Sequence, residues 1–245
     1  MNPEQYTFKT LDLCCRAMAE HIVKTAKQCV ETKGVFTFVA SGGSTPKTLY
    51  RLLAAPPFVE KMPWDKTHLF WGDERCVAVD NPDSNYKMVS HELLTGNLPK
   101  AVTSHRMKGE MPPEEGAADY EKELQNFFSN NVNGDKITQP PVFDLILLGL
   151  GSDGHTASLF PGAQALLEKE LWVTATPPGV LAPQVYRLTL TLPVINNANE
   201  VIFLAAGENK KSLIHEIITR RQSALQYPAA LVAPQGKLFW YTASS

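Results

Sequence analysis

Residues 142–162, with the sequence VFDLILLGLGSDGHTASLFPG, form the segment that decides the fold. They open with an apolar run at residues 142–148 that does not alternate with polar residues, which is typical of a strand buried on both faces of a parallel sheet. Gly149, Gly151 and Gly154 follow this run. Glycines at such a place let the backbone turn sharply and approach a ligand closely, and this edge of an open α/β sheet is where substrates bind.

Asp153 and His155 lie among these glycines. An imidazole gains and loses a proton near neutral pH, and a neighbouring carboxylate can hold its tautomer and stabilise its charged form, so His155 is a candidate general base. A tight turn that carries a histidine with a purely structural role explains the same residues. The segment by itself favours neither interpretation.

The composition is that of an ordinary globular protein. The chain has 245 residues, of which 44% are hydrophobic and 20% charged, with room for one large α/β domain or two small ones. The formal net charge of -2 argues against a nucleic-acid-binding protein, which usually carries a basic surface. A small anionic substrate needs only a local cluster of cations and is compatible with this charge.

Cysteine usage and hydropathy predict a cytoplasmic protein without membrane contact. Cys14, Cys15, Cys29 and Cys76 show neither a paired C-x-x-C nor the spacing of a secreted disulfide framework, which favours reduced, packed thiols, Cys76 included, over a regulatory thiol. The amino terminus lacks the apolar core of a signal peptide, and no apolar run approaches the ~20 residues of a membrane span.

Short apolar runs alternate with segments of helical spacing, which predicts a mostly parallel sheet with helices on both faces. Without an internal repeat or a linker composition, one doubly wound α/β domain spanning residues 1–245 is the simplest interpretation. Strands are predicted at residues 35–40, 68–71, 142–148, 186–192, 200–206, 230–232 and 237–242. Helices are predicted at residues 11–32, 46–53, 84–94, 112–130 and 209–220.

A glycine loop follows the first of these strands, and its residues are Ser41, Gly42, Gly43, Ser44 and Thr45. Pro46 after a Ser/Thr cap fits the first turn of a helix, where backbone N–H groups and the helix dipole attract an anion. The loop lacks both the Lys-Ser/Thr of a nucleotide P-loop and the G-x-G-x-x-G pattern, so it favours a small phosphate ester over a nucleotide. The alternative is a plain capping turn.

One charged turn and two further cations are candidates for the same site. Asp73, Glu74 and Arg75 follow a predicted strand, where buried charges need partners or a cleft, although a solvated turn fits them nearly as well. Arg187 lies in an apolar, threonine-rich strand, and Lys210 opens a helix, where it opposes the dipole. Both could complete a phosphate clamp, and each could equally be a surface charge.

Five motifs together resemble those of the 6-phosphogluconolactonases, in the same order through nearly the whole chain. They are SGGSTP at residues 41–46, WGDER at 71–75, LGLGSDGHTASLFP at 148–161, RLTLT at 187–191 and GENK at 207–210. That family shares a Rossmann-like fold with the glucosamine-6-phosphate deaminases, whose SGG and GxDGH loops are similar. The resemblance therefore implies the same fold for this chain.

Two departures from the deaminase pattern favour the lactonase. Deaminases carry Asn-Glu-Pro after the second loop, and that glutamate serves their acid–base relay, whereas this chain has Leu159, Phe160 and Pro161 there. A phenylalanine cannot transfer a proton. The chain also has Arg75 where the deaminase motif has an aromatic residue.

The resemblance implies hydrolysis of 6-phospho-D-glucono-1,5-lactone to 6-phosphogluconate in the oxidative pentose phosphate pathway. It implies that His155 activates water, while Asp153 orients the imidazole or a substrate hydroxyl. Arg75 is the candidate for stabilising negative charge near the lactone carbonyl, with Asp73 fixing that arginine or the sugar.

Ser44, Thr45, Arg187 and Lys210 would hold the 6-phosphate with the glycine loop, but the sequence leaves open which of the three cations faces the phosphate and which faces the lactone. The six histidines show no spacing of a metal site, so we expect chemistry without metal or cofactor. We also expect the protein to be a monomer. A deaminase-like aldose–ketose isomerase and a non-catalytic sugar-phosphate sensor are the alternatives.

Overall fold

The structure is a computed structural model that describes residues 3–94, 98, 102–129, 139–179, 182–219 and 222–244. Its strands are β1 (Glu4–Phe8), β2 (Phe36–Ala40), β3 (Thr67–Trp71), β4 (Asp73–Arg75), β5 (Thr103–His105), β6 (Leu145–Leu148), β7 (Val173–Thr176), β8 (Arg187–Leu190), β9 (Glu200–Ala206) and β10 (Lys237–Ala243). Its α-helices are α1 (Leu11–Lys33), α2 (Ser44–Leu53), α3 (Phe58–Lys61), α4 (Asn85–Val89), α5 (Pro113–Phe128), α6 (Leu192–Asn196) and α7 (Lys211–Thr219).

A seven-stranded sheet has the spatial order β1-β10-β9-β6-β2-β3-β5, and each neighbouring pair is parallel. The chain runs outward from β2 through β3 to β5, then returns to the other side of β2 with β6. The strand order therefore reverses between β2 and β6. Such a reversal opens a crevice at the carboxyl ends of the two strands, where α/β proteins bind their ligands.

A small antiparallel sheet of order β4-β8-β7 stands beside this crevice. Gly72 separates β4 from β3, so the second sheet continues directly from the carboxyl end of the first. Arg75 lies opposite Arg187 in the β4–β8 register. The second sheet thus brings two distant arginines to the same edge.

Burial explains why the central strands carry no alternation. Every residue of β2 and β6 is buried, because helices cover both faces of the sheet. One cluster of buried apolar side chains joins the sheet to its helices. None of the helices in the described ranges is long and apolar enough to cross a lipid bilayer.

The predicted mostly parallel α/β architecture is confirmed, and the differences are local. Strand β1 is not predicted from the sequence because four of its five residues are exposed at the sheet edge, and β7 is not predicted because it is short. The predicted strand at residues 230–232 is wrong: Pro228–Leu231 forms a 3₁₀-helix, since Pro228 favours a tight helical turn. The helix predicted at residues 84–94 continues from α4 as a π-turn, Ser90–Leu94. Asn130 and Arg220, the predicted ends of two helices, lie outside the described residues.

A buried carboxylate ties together the amino-terminal ends of the central strands. Asp144 is 1% exposed, and its Oδ2 accepts from the main-chain nitrogen of Thr37 (2.8 Å) and from its hydroxyl (2.9 Å). Asp144 Oδ1 pairs with Lys33 Nζ at 2.8 Å, at the end of α1. The carboxylate thereby fixes β2, β6 and α1 relative to one another.

We expect Asp144→Ala to lower the free energy of unfolding by about 3 kcal/mol, because it leaves buried donors of Thr37 without an acceptor. Urea denaturation measures this loss. The matched control is Lys33→Ala, which removes the ion pair but leaves the hydrogen bonds from Thr37 to Asp144 in place, so it should cost less than Asp144→Ala. Equal losses for the two variants would contradict a role for the Thr37 contacts.

Candidate active site

Four loops at the carboxyl ends of β2, β3, β6 and β9 meet around one cleft of about 180 Å³. These strands are neighbours in the parallel sheet, so their following loops are forced to the same edge. The loops carry the glycine loop, the Asp73–Arg75 turn, the Asp153–His155 turn and Lys210. The cleft is lined by ten of the predicted site residues: Ser41, Gly42, Gly43, Ser44, Thr45, Asp73, Arg75, His155, Arg187 and Lys210.

The glycine loop is held at its start and open at its end. The buried hydroxyl of Tyr50 accepts from the Ser41 nitrogen (2.9 Å) and donates to the Ser41 carbonyl (2.7 Å), which fixes the loop against α2. The helix begins at Ser44 with Gly43 as its N-cap, and no side chain caps it. The predicted Ser/Thr cap is therefore wrong, although Pro46 does lie in the first turn. The uncapped N–H groups can bind an anion instead.

His155 and Asp153 form a hydrogen-bonded pair at the opposite side of the cleft. His155 Nδ1 lies 2.5 Å from Asp153 Oδ1, which also accepts from the His155 main-chain nitrogen at 3.1 Å. A carboxylate at Nδ1 fixes the tautomer in which Nε2 can accept a proton. Asp153 is not among the residues that line the cleft, and its contact is with the Nδ1 side of the imidazole.

Close packing fixes the plane of this imidazole. A methyl group on Gly151 would lie 2.0 Å from His155 Nδ1, so only glycine lets the ring approach the backbone there. On another side, the Phe160 ring lies 4.8 Å from the imidazole, centroid to centroid. The same phenyl ring lies 5.4 Å from the Arg187 guanidinium. Phe160 therefore lies close to both the candidate base and one of the cations.

Arg75 and Arg187 lie opposite each other in the register of β4 and β8. Each has a buried Nε that makes no hydrogen bond within the described part of the chain. Arg187 is 5% exposed, and burial together with the nearby Arg75 lowers the pKa of its guanidinium. Like charges opposite each other in a sheet destabilise it, so this arrangement favours a bound anion.

Lys210 reaches the cleft from the loop after β9. It lies at the end of a short 3₁₀-helix, Glu208–Lys210, immediately before α7. Its Nζ donates to the Leu150 carbonyl at 2.6 Å, and burial lowers the pKa of the amine. One hydrogen bond leaves the ammonium with further protons to donate toward the cleft.

The Asp73–Arg75 turn is built into the interior rather than solvated. Asp73 is 7% exposed, and its Oδ2 accepts from the buried Ser158 hydroxyl at 2.7 Å. Glu74 is 2% exposed and accepts four hydrogen bonds, three of them from residues 84–86 at the start of α4. Burial raises the pKa of Glu74 and these donors oppose that rise.

The residues that sequence reasoning missed act through contacts between distant segments. Asn85 lines the cleft, and Ser158 supports Asp73, but neither has a local signal beyond its residue type. Ala157 also lines the cleft, with a left-handed φ of 47° that is costly for a residue with a side chain. Within the described ranges, no group of three His, Cys, Asp or Glu side chains could hold a metal ion.

Comparison with known proteins identifies relatives of this chain. A family model described as glucosamine-6-phosphate isomerases/6-phosphogluconolactonase matches residues 9–240. A 6-phosphogluconolactonase from Synechocystis sp. is 42% identical over 228 residues, covering 89% of this chain and 90% of its own length. One from Nostoc sp. is 41% identical over 212 residues, covering 86% and 83%.

Solved structures agree with these sequence relatives. The 6-phosphogluconolactonase from Thermotoga maritima superimposes with a TM-score of 0.82 at 28% identity, covering 99% of this chain and 100% of that one. The enzyme of the same name from Trypanosoma brucei has a TM-score of 0.82 at 29% identity, covering 99% and 96%. The chain therefore belongs to the family of the glucosamine-6-phosphate isomerases and 6-phosphogluconolactonases.

Proposed function

We propose that this protein hydrolyses 6-phospho-D-glucono-1,5-lactone to 6-phosphogluconate, with His155 as the general base. The observation that carries the proposal is the pair Arg75 and Arg187, opposed across two strands, in the same cleft as His155, which is paired with Asp153. This combination supports an anionic substrate that is attacked by an activated water. Relatives named 6-phosphogluconolactonase support the same reaction.

The phosphate is held by the open N–H groups of the glycine loop, the hydroxyls of Ser44 and Thr45, and the cations Arg187 and Lys210. A helix amino terminus and charge-assisted donors are the usual ligands of a phosphate. In the lactone, C1 and the carbon that bears C6 flank the same ring oxygen. Adjacent cations can therefore serve both ends, Arg187 at the phosphate and Arg75 at the carbonyl of C1.

Hydrolysis then needs one base and one oxyanion partner. His155 Nε2 accepts a proton from water while the water oxygen bonds to C1, and Arg75 donates to the carbonyl oxygen as it gains charge. The intermediate collapses by breaking the bond between C1 and the ring oxygen. The imidazolium returns its proton to that oxygen, which becomes the C5 hydroxyl, and C1 becomes a carboxylic acid that ionises. Asp153 stabilises the imidazolium between the two transfers.

The position of Phe160 argues against the isomerase alternative, and the His155–Asp153 pair argues against the sensor. The Phe160 ring contacts both His155 and Arg187, so an apolar side chain occupies the space where a deaminase would need a second proton-transfer group. A non-catalytic sensor has no use for the His155–Asp153 pair. Ammonia release from glucosamine 6-phosphate, above that of a protein-free control, would overturn the lactonase assignment.

We also propose that residues 1–245 form one hydrolase domain, which acts as a monomer in the cytoplasm without a cofactor. A single cluster of buried side chains, shared by the large sheet and its helices, supports the one-domain proposal. The reaction itself supports the absence of a cofactor, since ester hydrolysis exchanges no electrons. Analytical ultracentrifugation tests the monomer: a mass near twice 27.1 kDa would contradict it.

We expect His155→Ala to lower kcat by roughly 10²–10⁴-fold, the usual effect of losing a general base, with an unchanged melting temperature. The assay couples 6-phosphogluconate formation to its dehydrogenase and subtracts spontaneous lactone hydrolysis. The matched control is His91→Ala, which removes an imidazole with 78% side-chain exposure, outside the cleft, and should keep parental turnover. Near-parental turnover by His155→Ala would remove this residue from the mechanism.

We expect Arg187→Ala to raise KM by roughly 10–100-fold while kcat changes less than about threefold, because the phosphate is gripped equally in the ground and transition states. Inorganic phosphate should also raise the melting temperature of the parent more than that of the variant. Arg16→Ala, on the exposed face of α1, is the control for loss of a positive charge. A KM that stays at the parental value would place Arg187 away from the phosphate.

A further inference from the structure

Asn85 contacts both charged groups of the Asp73–Arg75 turn. Its side chain lines the cleft, yet the residue is only 1% exposed. Its Oδ1 accepts a short hydrogen bond from Arg75 Nη1, and its Nδ2 donates to the Asp73 carbonyl (2.9 Å) and to Asp73 Oδ1 (3.3 Å). A carboxamide carries an acceptor and a donor side by side, so one neutral group can bind a cation and an anion together.

The contact with Arg75 selects which edge of the guanidinium faces the substrate. Arg75 Nη1 donates to the Asn85 side chain and to the Asp83 carbonyl at 3.1 Å. Its Nε is buried and makes no hydrogen bond to the described residues. With Nη1 held and Nε buried, Nη2, which donates to none of the described residues, is the nitrogen left to donate to an oxyanion.

The main chain of Asn85 is itself fixed by the same turn. Glu74 Oε1 accepts from the Asn85 nitrogen at 2.6 Å, and Glu74 Oε2 accepts from the Ser84 hydroxyl at 2.9 Å and from the Tyr86 nitrogen at 2.7 Å. This carboxylate binds the first turn of α4 to β4. The side chain of Asn85 therefore starts from an immobile backbone, which is what a group that orients others requires.

The Asn85 carboxamide also occupies the space above the glycine loop. A methyl group on Gly42 would lie 1.9 Å from Asn85 Oδ1 and 2.3 Å from its Cγ, although the backbone of Gly42 is not left-handed. The absence of a side chain at Gly42 is thus required by the amide rather than by the turn. Through Asn85, the glycine loop, Asp73 and Arg75 hold a common geometry.

We propose that Asn85 is a positioning residue for the lactonase reaction, which directs Nη2 of Arg75 toward the lactone carbonyl and holds the Asp73 carboxylate in the cleft. The inference rests on the proposed function, since it assigns Arg75 to the reacting carbonyl. Asn85 acts through Arg75 and Asp73, so its loss reduces stabilisation of the transition state more than binding of the phosphate.

We expect Asn85→Ala to lower kcat by roughly 10–100-fold while KM changes less than about threefold, less than the loss of a whole oxyanion donor because Arg75 remains present. Asn85→Asp keeps the shape of the side chain and replaces the neutral amide with a carboxylate. It places a carboxylate beside Asp73 and pairs directly with Arg75, so we expect a similar fall in kcat. Parental kcat in both variants would overturn the proposal.

The matched control is Ser84→Ala, one residue away. It removes the N-cap of α4 and a bond to Glu74, so it should lower the melting temperature while kcat and KM stay within twofold of the parent. A fall in kcat for Ser84→Ala equal to that for Asn85→Ala would show that α4 acts only as a structural support, and would overturn the proposal.

A double-mutant cycle with Gly42→Ala is the decisive measurement, and the single variant Gly42→Ala remains informative if Asn85→Ala folds poorly. The new methyl group must displace the Asn85 amide, so Gly42→Ala should lose about as much kcat as Asn85→Ala, and the double variant no more than either. Additive losses would overturn the inference. A parent chain that does not accelerate lactone hydrolysis would instead overturn the proposed function, and the inference with it.

Discussion

Parallel pairing of β9, β6, β2 and β3 is the constraint on which the active site depends. The four strands run in one direction and are covered by helices, so their buried positions hold mostly apolar side chains and their carboxyl ends share one edge. Polar chemistry can begin only beyond the last buried residue of each strand. Asp144 fixes the opposite ends of β2 and β6, and because a strand has a fixed rise per residue, it also fixes where the two loops that border the cleft start.

The cations of the cleft repel one another, and a bound anion reduces this repulsion. Arg75 and Arg187 oppose each other across two strands, and Lys210 adds a third cation. Asp73, whose carboxylate also lines the cleft, accepts from neutral donors. Contact between Arg187 and the Phe160 ring offsets part of the desolvation of that guanidinium. The empty site is therefore less stable than a neutral one would be, and an anion recovers the difference on binding.

Local signals predicted the elements and the functional loops, because buried strands, glycines and helix starts each depend on neighbouring residues. What depends on pairing between distant segments was not predicted. The sequence around Arg187 indicates a strand but not that the strand leaves the main sheet to lie opposite Arg75. The Ser/Thr cap was predicted from propensity, whereas the structure leaves the amino terminus of α2 uncapped at Gly43. Asn85 belongs to a polar segment that indicates only the start of a helix, and its role emerges when β4 is placed beside it.

The neutrality of Asn85 matters as much as its position. An acidic side chain there would hold Arg75 equally well, but it would neutralise the guanidinium before the reaction begins. The donor would then gain little when the carbonyl oxygen becomes negative, and catalysis depends on interactions that strengthen in the transition state. An amide fixes the geometry of Arg75 without neutralising its positive charge. The same reasoning explains why Asp73 is held by a hydroxyl and an amide rather than by either arginine: the cations of the cleft stay available for the substrate.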